Sequence, residues 1–314
     1  MEAFPAKVLL ATDGSEDAAL AARAAADLSE RACSELHLVH VLPRFPRYAY
    51  PGVTPQVYSR VLDEDLRGAC DLLEEQVKGI QARGARVAES HTRRGPTADE
   101  ILDLAEELGA DLIVVGSRGL GPVRGLLLGS VSGGIVHGAT SPVLVLRGGE
   151  NAWPPNRIVV GDDGSEEAKG AGVRAARIGK LLDVGVLLVR VYPRLPETDA
   201  EGREFDARRV DDELRREERT LESRAKEIGD AASGALRPRV GITVGEPATA
   251  LLEAAGQDEE RTLLAVGRRG LDATRRLRLG SVSTKVLHAA HGPVLIYPYL
   301  AVEKVSRDSG SLHP

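Results

Sequence analysis

Short apolar runs alternate with longer amphipathic stretches along the chain. The run Val8–Ala11 is followed by an alanine-rich stretch from Ser15 to about Ala32, and this pattern predicts a strand and then a helix capped by Ser15. Further strands are predicted at Leu36–Leu42, near Ala85–Ser90, at Leu112–Val115 and at Val143–Leu146, and further helices at about Val57–Ala82, at Ala98–Leu108 and from about Ser130. Continuously apolar strands that alternate with helices are typical of a parallel sheet covered on both faces.

The order of these motifs occurs twice, which indicates an internal duplication. The segment 8–16 matches 158–166, and the strand 38–41 matches 188–191 at the same offset of 150 residues. After one inserted residue the match continues through 116–119 with 267–270, 129–132 with 280–283, and 142–145 with 293–296. We therefore predict two homologous α/β domains, residues 1–148 and 156–300. Glycine, proline and polar residues between them predict a linker, and the polar, aperiodic residues 301–314 predict a flexible tail.

Composition and charge limit the classes of function and of partner that we expect for this chain. Hydrophobic residues make up 42% of the chain and charged residues 28%, as in globular proteins with apolar cores. With 41 Lys and Arg residues against 47 Asp and Glu residues, the net charge is −6, so we expect neither nucleic acid nor a membrane as a partner. No apolar run approaches the roughly 18 residues of a membrane span, and no secretory leader is recognisable, so a cytoplasmic location is expected. Cys33 and Cys70 match no metal-binding spacing and are expected to be buried or half-buried thiols.

The candidate chemistry lies in a glycine pattern after the fourth strand of each half. Gly116 and Gly119 are followed, after nine further residues, by Gly129 and Ser130. The second half repeats this spacing with Gly267, Gly270, Gly280 and Ser281, and Ser132 and Ser283 add one more hydroxyl group to each half. Glycine lets the backbone turn sharply and approach a ligand, and a helix that begins at Gly129 offers free N–H groups to an anion. The pattern predicts a phosphate-binding cradle; the alternative is that the glycines serve turn geometry alone.

Open parallel sheets bind ligands beyond the carboxyl ends of their strands. This rule points to Asp13, Val41 and Gly116 in the first half, and to Asp163, Val191 and Gly267 in the second. An aspartate at such a strand end also forms an Asx-turn into the next helix, so Asp13 and Asp163 have a purely structural alternative.

The glycine pattern, the Asp-Gly-Ser segment at 13–15, the Val-His-Val strand at 39–41 and the Pro-Val-Leu-Val segment at 142–145 together resemble the universal stress protein family. The glycine spacing resembles that of the family's ATP-binding branch. The resemblance covers about residues 7–147 and 157–298. It implies two tandem five-stranded parallel α/β sandwich domains, Rossmann-like and adenine-nucleotide alpha-hydrolase-like, with ATP as the ligand, with or without Mg.

The resemblance also implies which residues meet the nucleotide. In the first half they are Ala11, Thr12 and Asp13 beside ribose and adenine, the backbone of Val41 at adenine, Val115, Gly116 and Gly119 beside ribose and phosphates, and Gly129, Ser130, Val131 and Ser132 at the phosphates. In the second half they are Gly161, Asp162, Asp163, Val191, Val266, Gly267, Gly270, Gly280, Ser281, Val282 and Ser283.

The two halves differ beside this predicted site. Thr12 corresponds to Asp162, whose carboxylate would disfavour a triphosphate unless nearby cations offset it. The candidate cations are Arg268, Arg269, Arg275, Arg276 and Arg278. They are expected either to pair with phosphate or to be solvated loop charges.

Three functions are open at this point. The resemblance favours a regulatory stress-response protein whose output depends on ATP occupancy. The chain has no Gly-x-x-x-x-Gly-Lys-Ser/Thr motif to place a lysine on the phosphates. A slow Mg-dependent ATPase using Asp13 or Asp163 is one alternative, and an interaction scaffold with decayed nucleotide sites is the other. Because the family pairs through its last strand, the resemblance also predicts an internal pseudo-dimer with Val143–Leu146 near Val294–Tyr297, and leaves a further homodimer open.

Overall fold

A computed structural model describes residues 4–44, 54–120, 128–192, 207–234, 236–256, 261–268 and 279–298. The first half contains β1 (Lys7–Ala11), α1 (Glu16–Ala32), β2 (Glu35–Leu42), α2 (Pro55–Gln81), β3 (Val87–Arg94), α3 (Thr97–Leu108), β4 (Leu112–Gly116), α4 (Ser130–Gly138) and β5 (Val143–Leu146). The second half contains β6 (Arg157–Gly161), α5 (Glu166–Leu182), β7 (Val186–Tyr192), α6 (Ala207–Ala231), β8 (Arg239–Val244), α7 (Pro247–Ala255), β9 (Thr262–Gly267), α8 (Ser281–Ala289) and β10 (Val294–Tyr297). The predicted tail, 301–314, lies outside the described residues.

The strands form one ten-stranded sheet in the order β3-β2-β1-β4-β5-β10-β9-β6-β7-β8. Each half contributes five parallel strands, as predicted, and the halves meet through an antiparallel pairing of β5 with β10 in which Leu144 faces Leu295. The predicted proximity of Val143–Leu146 and Val294–Tyr297 is therefore found. In each half the chain builds outward from its first strand and then returns to the other side of it. This reversal creates a crevice at the carboxyl ends of the first and fourth strands.

Two apolar layers cover the sheet and run across both halves. One packs α1, α2, α5 and α6 on the sheet through residues such as Leu28, Ile80, Ile178 and Ile228. The other packs α3, α4, α7 and α8 through residues such as Leu104, Ile135, Leu251 and Val286. Ser15 caps α1, because its hydroxyl accepts a hydrogen bond of 3.2 Å from the N–H of Ala18, as the sequence predicted.

Three local expectations need correction. The third strand runs from Val87 to Arg94 rather than near Ala85–Ser90, because this edge strand is half exposed and carries polar residues that hide its periodicity. The segment between the halves, which the sequence predicted only as a linker, packs against the first half, since Trp153 is buried in the core and donates from Nε1 to Asp27 at 2.9 Å. Cys33, at the C-cap of α1, and Cys70, in α2, are both exposed rather than buried or half-buried.

Candidate functional site

The candidate site lies at the carboxyl ends of the strands, beside the crevice between β1 and β4. The N–H of Thr12, just past β1, donates to the carbonyl of Val39 at 3.0 Å. Backbone groups two residues apart along a strand point to the same side. The N–H and C=O groups of Val41 therefore point into the space past the end of β1. The same geometry holds in the second half, where the N–H of Asp162 donates to Val189 at 2.9 Å and Val191 lies two residues further on.

Asp13 ties the end of β1 to the glycine loop. Its Oδ1 accepts a hydrogen bond of 3.0 Å from the N–H of Ser15, which is the predicted Asx-turn alternative. Its Oδ2 accepts a hydrogen bond of 3.1 Å from the N–H of Leu120. A Cβ atom on Gly119 would overlap with that carboxylate oxygen, so a side chain at 119 would push the flexible Asp13 carboxylate out of this contact. Asp163 forms the same turn, with Oδ1 accepting from the N–H of Ser165 at 3.0 Å.

The loop after β4 is stabilised by two hydrogen bonds to one of its own carbonyl groups. The carbonyl of Ser117 accepts from the N–H of Gly129 at 2.7 Å and from the hydroxyl of Ser132 at 2.8 Å. Ser132 is only 2% exposed. The resemblance implies that the Ser132 hydroxyl contacts a phosphate. In this structure the hydroxyl donates its proton to the loop, at the carbonyl of Ser117.

The second glycine loop repeats this arrangement. The N–H of Gly280 donates to the carbonyl of Arg268 at 2.8 Å, and the hydroxyl of Ser283 donates to the carbonyl of Gly267 at 2.8 Å. The repeated geometry shows that the third residue of each helix stabilises the loop that precedes it.

The starts of α4 and α8 differ from those of the other long helices near the site. Both helices have glycine at the N-cap, Gly129 and Gly280, and no side chain caps them. The hydroxyl groups of Ser15 and Ser165, in contrast, cap α1 and α5. The N–H groups in the first turns of α4 and α8 are therefore available to an anion. The side chains of Ser130 and Ser281 are exposed at these ends.

Gly116 and Gly267 have a packing role that the sequence did not reveal. A Cβ atom on Gly116 would lie 2.7 Å from the backbone carbon of Asp17 in α1. A Cβ atom on Gly267 would lie 2.8 Å from the side chain of Glu167 in α5. At these two positions the space left by glycine is occupied by the first helix of the same half, α1 or α5.

Asp162 is neutralised inside the second half. Its side chain is fully buried and pairs with Nη2 of Arg190, while Nε of Arg224 lies 3.4 Å from its other oxygen. Burial opposes the charge on Arg190, yet its hydrogen bonds with Glu217 and Asp162 prevail and raise its pKa. Of the two alternatives for the loop arginines, the solvated charge does not hold for Arg268, which is buried and whose Nη1 donates to the carbonyl of Ala139 at 3.1 Å. Arg269, Arg275, Arg276 and Arg278 lie outside the described residues.

Two groups of residues beside the site were not predicted from the sequence. His40 contacts the carbonyl of Thr12 at 2.8 Å, and the matching pair in the second half is Arg190 with Asp162. Between the two aligned halves, Thr12 and His40 are both replaced, by Asp162 and Arg190. This paired replacement is the signal from which the contact between the two positions could have been predicted. Asp17, which is buried, accepts hydrogen bonds from the Ser117 hydroxyl at 2.7 Å and from the Arg118 N–H at 3.0 Å. Nothing in the sequence spacing indicates that link.

The structure brings most of the predicted site residues to the same edge of the sheet. Ala11, Val41, Val115 and Val266 are buried at strand ends, Val131, Val191 and Val282 are half-buried, and Gly270 lies outside the described residues. Gly161 replaces Ala11 in the second half, where a Cβ atom would lie 2.7 Å from Leu251. The side-chain environments of the two halves are therefore similar but not identical.

A cleft of about 830 Å³ lies elsewhere, between α1, α2 and the segment joining the halves. Its wall mixes acidic and basic residues: Glu16, Asp17, Glu75 and Glu150 with Arg23, Arg83 and Arg118. None of the predicted site residues lines it. Because its four carboxylates outnumber its three guanidinium groups and disfavour an anion, we place the candidate anion-binding site at the strand ends rather than in this cleft.

Fold and site together define a tandem pair of α/β modules with a glycine-rich loop leading to a helix start. The family model of the universal stress protein family matches residues 6–147 and 155–298. The chain therefore belongs to the universal stress protein family, with one family module in each half.

Individual relatives agree with this assignment. Universal stress protein YxiE of Bacillus subtilis is 35% identical over 147 residues, covering 45% of this chain and 98% of that protein. A universal stress protein of Mycolicibacterium smegmatis is 26% identical over 304 residues, covering 92% of this chain and 96% of that protein. The crystal structure of a universal stress protein from Archaeoglobus fulgidus covers 94% of this chain and 98% of its own, with a TM-score of 0.66 and 22% identity, and supports the fold. In the described part of the chain, no helix has the length and apolar character needed to cross a bilayer.

Proposed function

We propose that the protein binds ATP at the strand ends of its halves and acts as a regulatory stress-response protein whose output depends on nucleotide occupancy. The observation that carries this proposal is the pair of uncapped glycine helix starts, Gly129 and Gly280, beside the open ends of the first strands. The internal pairing of β5 with β10 would make the two halves a pseudo-dimer with two such sites.

The adenine end of the proposed site is the backbone of Val41. Its N–H and C=O groups point past the end of β1 and offer one donor and one acceptor, which suits the edge of an adenine base. Ala11 and Val115, both buried, would supply the apolar surface beside the base. An adenine bound there would extend its ribose toward Asp13 and the glycine loop.

The phosphate end is the first turn of α4. Its free N–H groups and the positive end of the helix dipole favour an anion. Glycine at 129 leaves room for a phosphate, because no capping side chain competes for those N–H groups. The exposed hydroxyl of Ser130 adds one more donor at this end.

The contacts of Asp13 favour binding over rapid hydrolysis. Both carboxylate oxygens of Asp13 accept hydrogen bonds from backbone N–H groups, those of Ser15 and Leu120. A carboxylate held this way serves loop closure, and using it as a Mg ligand or a general base would require giving up these bonds. We therefore propose slow hydrolysis or none.

The test is the nucleotide content of the purified protein and a titration of ATP against wild type, Gly129→Asp and Gly280→Asp. Aspartate at the N-cap would cap the helix with its own carboxylate and repel phosphate, so each variant should weaken binding in its own half. Saturable binding that drops in one or both variants supports the proposal and shows which half carries it.

Gly129→Asn is the matched control, because asparagine caps the helix without adding charge. If binding falls equally with asparagine, capping competition rather than charge is responsible. If wild type carries no nucleotide and none of the variants changes an ATP titration, the nucleotide proposal is wrong and an interaction scaffold is the better description. Phosphate release that is abolished by Asp13→Ala would instead establish an ATPase.

A further inference from the structure

A histidine cluster lies on β2 and β3 at the end of the sheet opposite the nucleotide site. His37 on β2 pairs in register with Glu89 on β3, and His91 lies two residues further along the same face of β3. Four residues separate His37 from Val41, so the cluster lies about 13 Å from the proposed adenine position along the strand. It is a separate feature of the first half.

The imidazole groups face each other at a distance suited to a shared ion. Nδ1 of His37 lies 3.2 Å from Nε2 of His91, and Nε2 of His91 lies 3.8 Å from a carboxylate oxygen of Glu89. The three ligand atoms all lie within 4.8 Å of one another. Two nitrogens bound tetrahedrally to zinc at their usual bond lengths lie about 3.3 Å apart. The two histidines share a hydrogen bond in this structure, with their ring centres 5.5 Å apart, and the same spacing fits one metal ion once both rings turn their facing nitrogens toward it.

His37 is the buried member of the cluster, and one of its polar atoms has no hydrogen-bond partner. His37 is only 6% exposed, and its Nε2 is buried without a hydrogen-bond partner. The Glu89 side chain is 64% exposed, so it can rotate to complete the coordination and the ion can enter from that side.

Glu35 lies behind the cluster in the position of an orienting carboxylate. Its Oε2 lies 3.8 Å from Nε2 of His37, the ring nitrogen that faces away from His91. A carboxylate that takes the remote N–H of a metal-bound imidazole fixes the ring and strengthens the ligand. Lys7, 3.4 Å from Glu35, is the opposing positive charge, and it is held by Glu35 and by the carbonyl of Leu108.

The second half provides an internal comparison. Its strands pair in the same register, but Leu187, Arg239 and Gly241 stand where the first half has His37, Glu89 and His91. The cluster is thus a property of one half and is not required by the shared fold.

We propose that His37, His91 and Glu89 bind a divalent transition-metal ion of the zinc class. Imidazole and carboxylate ligands together suit Zn²⁺, and three protein ligands leave a fourth position for water. The test uses the full chain with Cys33→Ser and Cys70→Ser, so that exposed thiols cannot bind the probe. Zn²⁺ is titrated against a chromophoric chelator, and Co²⁺ is added separately to record the visible absorption of a tetrahedral site. One ion per chain is expected.

His91→Asn and Glu89→Gln should each weaken Zn²⁺ binding about tenfold or more, and His91→Asn should abolish the tetrahedral Co²⁺ spectrum. Glu89→Gln alters an exposed side chain, so it remains folded even if a histidine variant does not. His137→Asn, which changes an exposed histidine on α4, should leave the affinity unchanged. Equal affinity in the parent, His91→Asn and Glu89→Gln, or loss of binding in a His288→Asn/His291→Asn variant alone, would overturn the assignment.

Discussion

Arg147, which follows β5, donates a hydrogen bond of 3.0 Å from Nη1 to the carbonyl of Ala290 at the end of α8 in the other half. The relationship is reciprocal, because Arg268 of the second half donates to the carbonyl of Ala139 at the end of α4 in the first. Both arginines are buried, and burial lowers the pKa of Arg147 to about 10, so it remains charged at neutral pH. Each half thus places a cation at the negative end of the other half's last helix.

The stability of the interface between the two halves should depend on Arg147. Arg147→Ala leaves the carbonyl of Ala290 buried without its donor, and we expect the free energy of unfolding to fall by about 1–3 kcal/mol. Arg31→Ala is the matched control, because Arg31 also crosses between halves, to the carbonyl of Leu181, but is exposed and should cost under about 0.5 kcal/mol. Urea unfolding checks both. Equal losses in the two variants would contradict a special role for the buried contact.

Gly116 should not tolerate a side chain. Gly116→Ala would place a methyl group 2.7 Å from the α1 backbone, so α1 must move away from β4, and we expect a loss of about 1–3 kcal/mol. Gly68→Ala is the control, since Gly68 lies exposed in α2 with nothing within 4 Å of the added atom and should gain up to about 1 kcal/mol. The measurement is the denaturant midpoint of each variant at constant pH. A neutral Gly116→Ala would show that α1 adjusts freely.

The buried carboxylate of Asp162 should be essential only while its arginines are present. Asp162→Asn removes the buried carboxylate from Arg190 and Arg224, which keep only Glu217 and Glu166 as charged partners, and should cost about 1–3 kcal/mol. The double change Asp162→Thr with Arg190→His installs the pair found in the first half, Thr12 with His40, and should recover part of that loss. Thermal unfolding of the single and double variants tests this. If the double variant is less stable than the single one, the two halves do not use interchangeable pairs.

Acid should remove a contribution of Glu246 to stability. The hydrogen bond from Lys285, then those from the N–H and hydroxyl of Thr249, lower the pKa of Glu246 from 4.5 to about 2. A carboxylate with a lowered pKa in the folded protein stabilises it above pH 4.5, and this contribution disappears as the pH falls from 4.5 toward 2. Glu246→Gln should therefore be less stable than wild type at pH 6 and approach it near pH 2. Glu64→Gln, an exposed change on α2, should show no such convergence in urea midpoints.

Much of the fold could be predicted because each sequence pattern that indicates a strand or a helix occurs twice, once in each half. The strands at Val8–Ala11 and Leu112–Val115 are continuously apolar, and Leu36–Leu42 is apolar except for His37 and His40, so the positions of all three were predicted within one or two residues. The strand at Val87–Arg94 was placed less well, since an edge strand exposes polar side chains and gives a weak apolar pattern. The order of the strands in the sheet was not predicted, as it depends on contacts distant in sequence.

The sequence pattern predicted where the candidate site lies, but not what each of its side chains does. The edge of the sheet and the helix starts at Gly129 and Gly280 follow from glycine spacing. Whether a serine hydroxyl meets a phosphate or a loop carbonyl depends on a single rotamer, and Ser132 turns to the loop. The counter-charges of Asp162 come from Arg190 and from Arg224, 62 residues away in sequence, which no local pattern reveals.

The pairing of β5 with β10 joins two modules within one chain. In a dimer of identical chains every substitution is made twice, so both sites must have the same properties. In this chain the first half can keep Thr12 while the second acquires Asp162, and one half can carry a histidine cluster that the other lacks. If the halves bind nucleotide as we propose, a fused pair of this kind can have two sites of unequal affinity and respond to nucleotide over a wider range of concentration than two identical sites would.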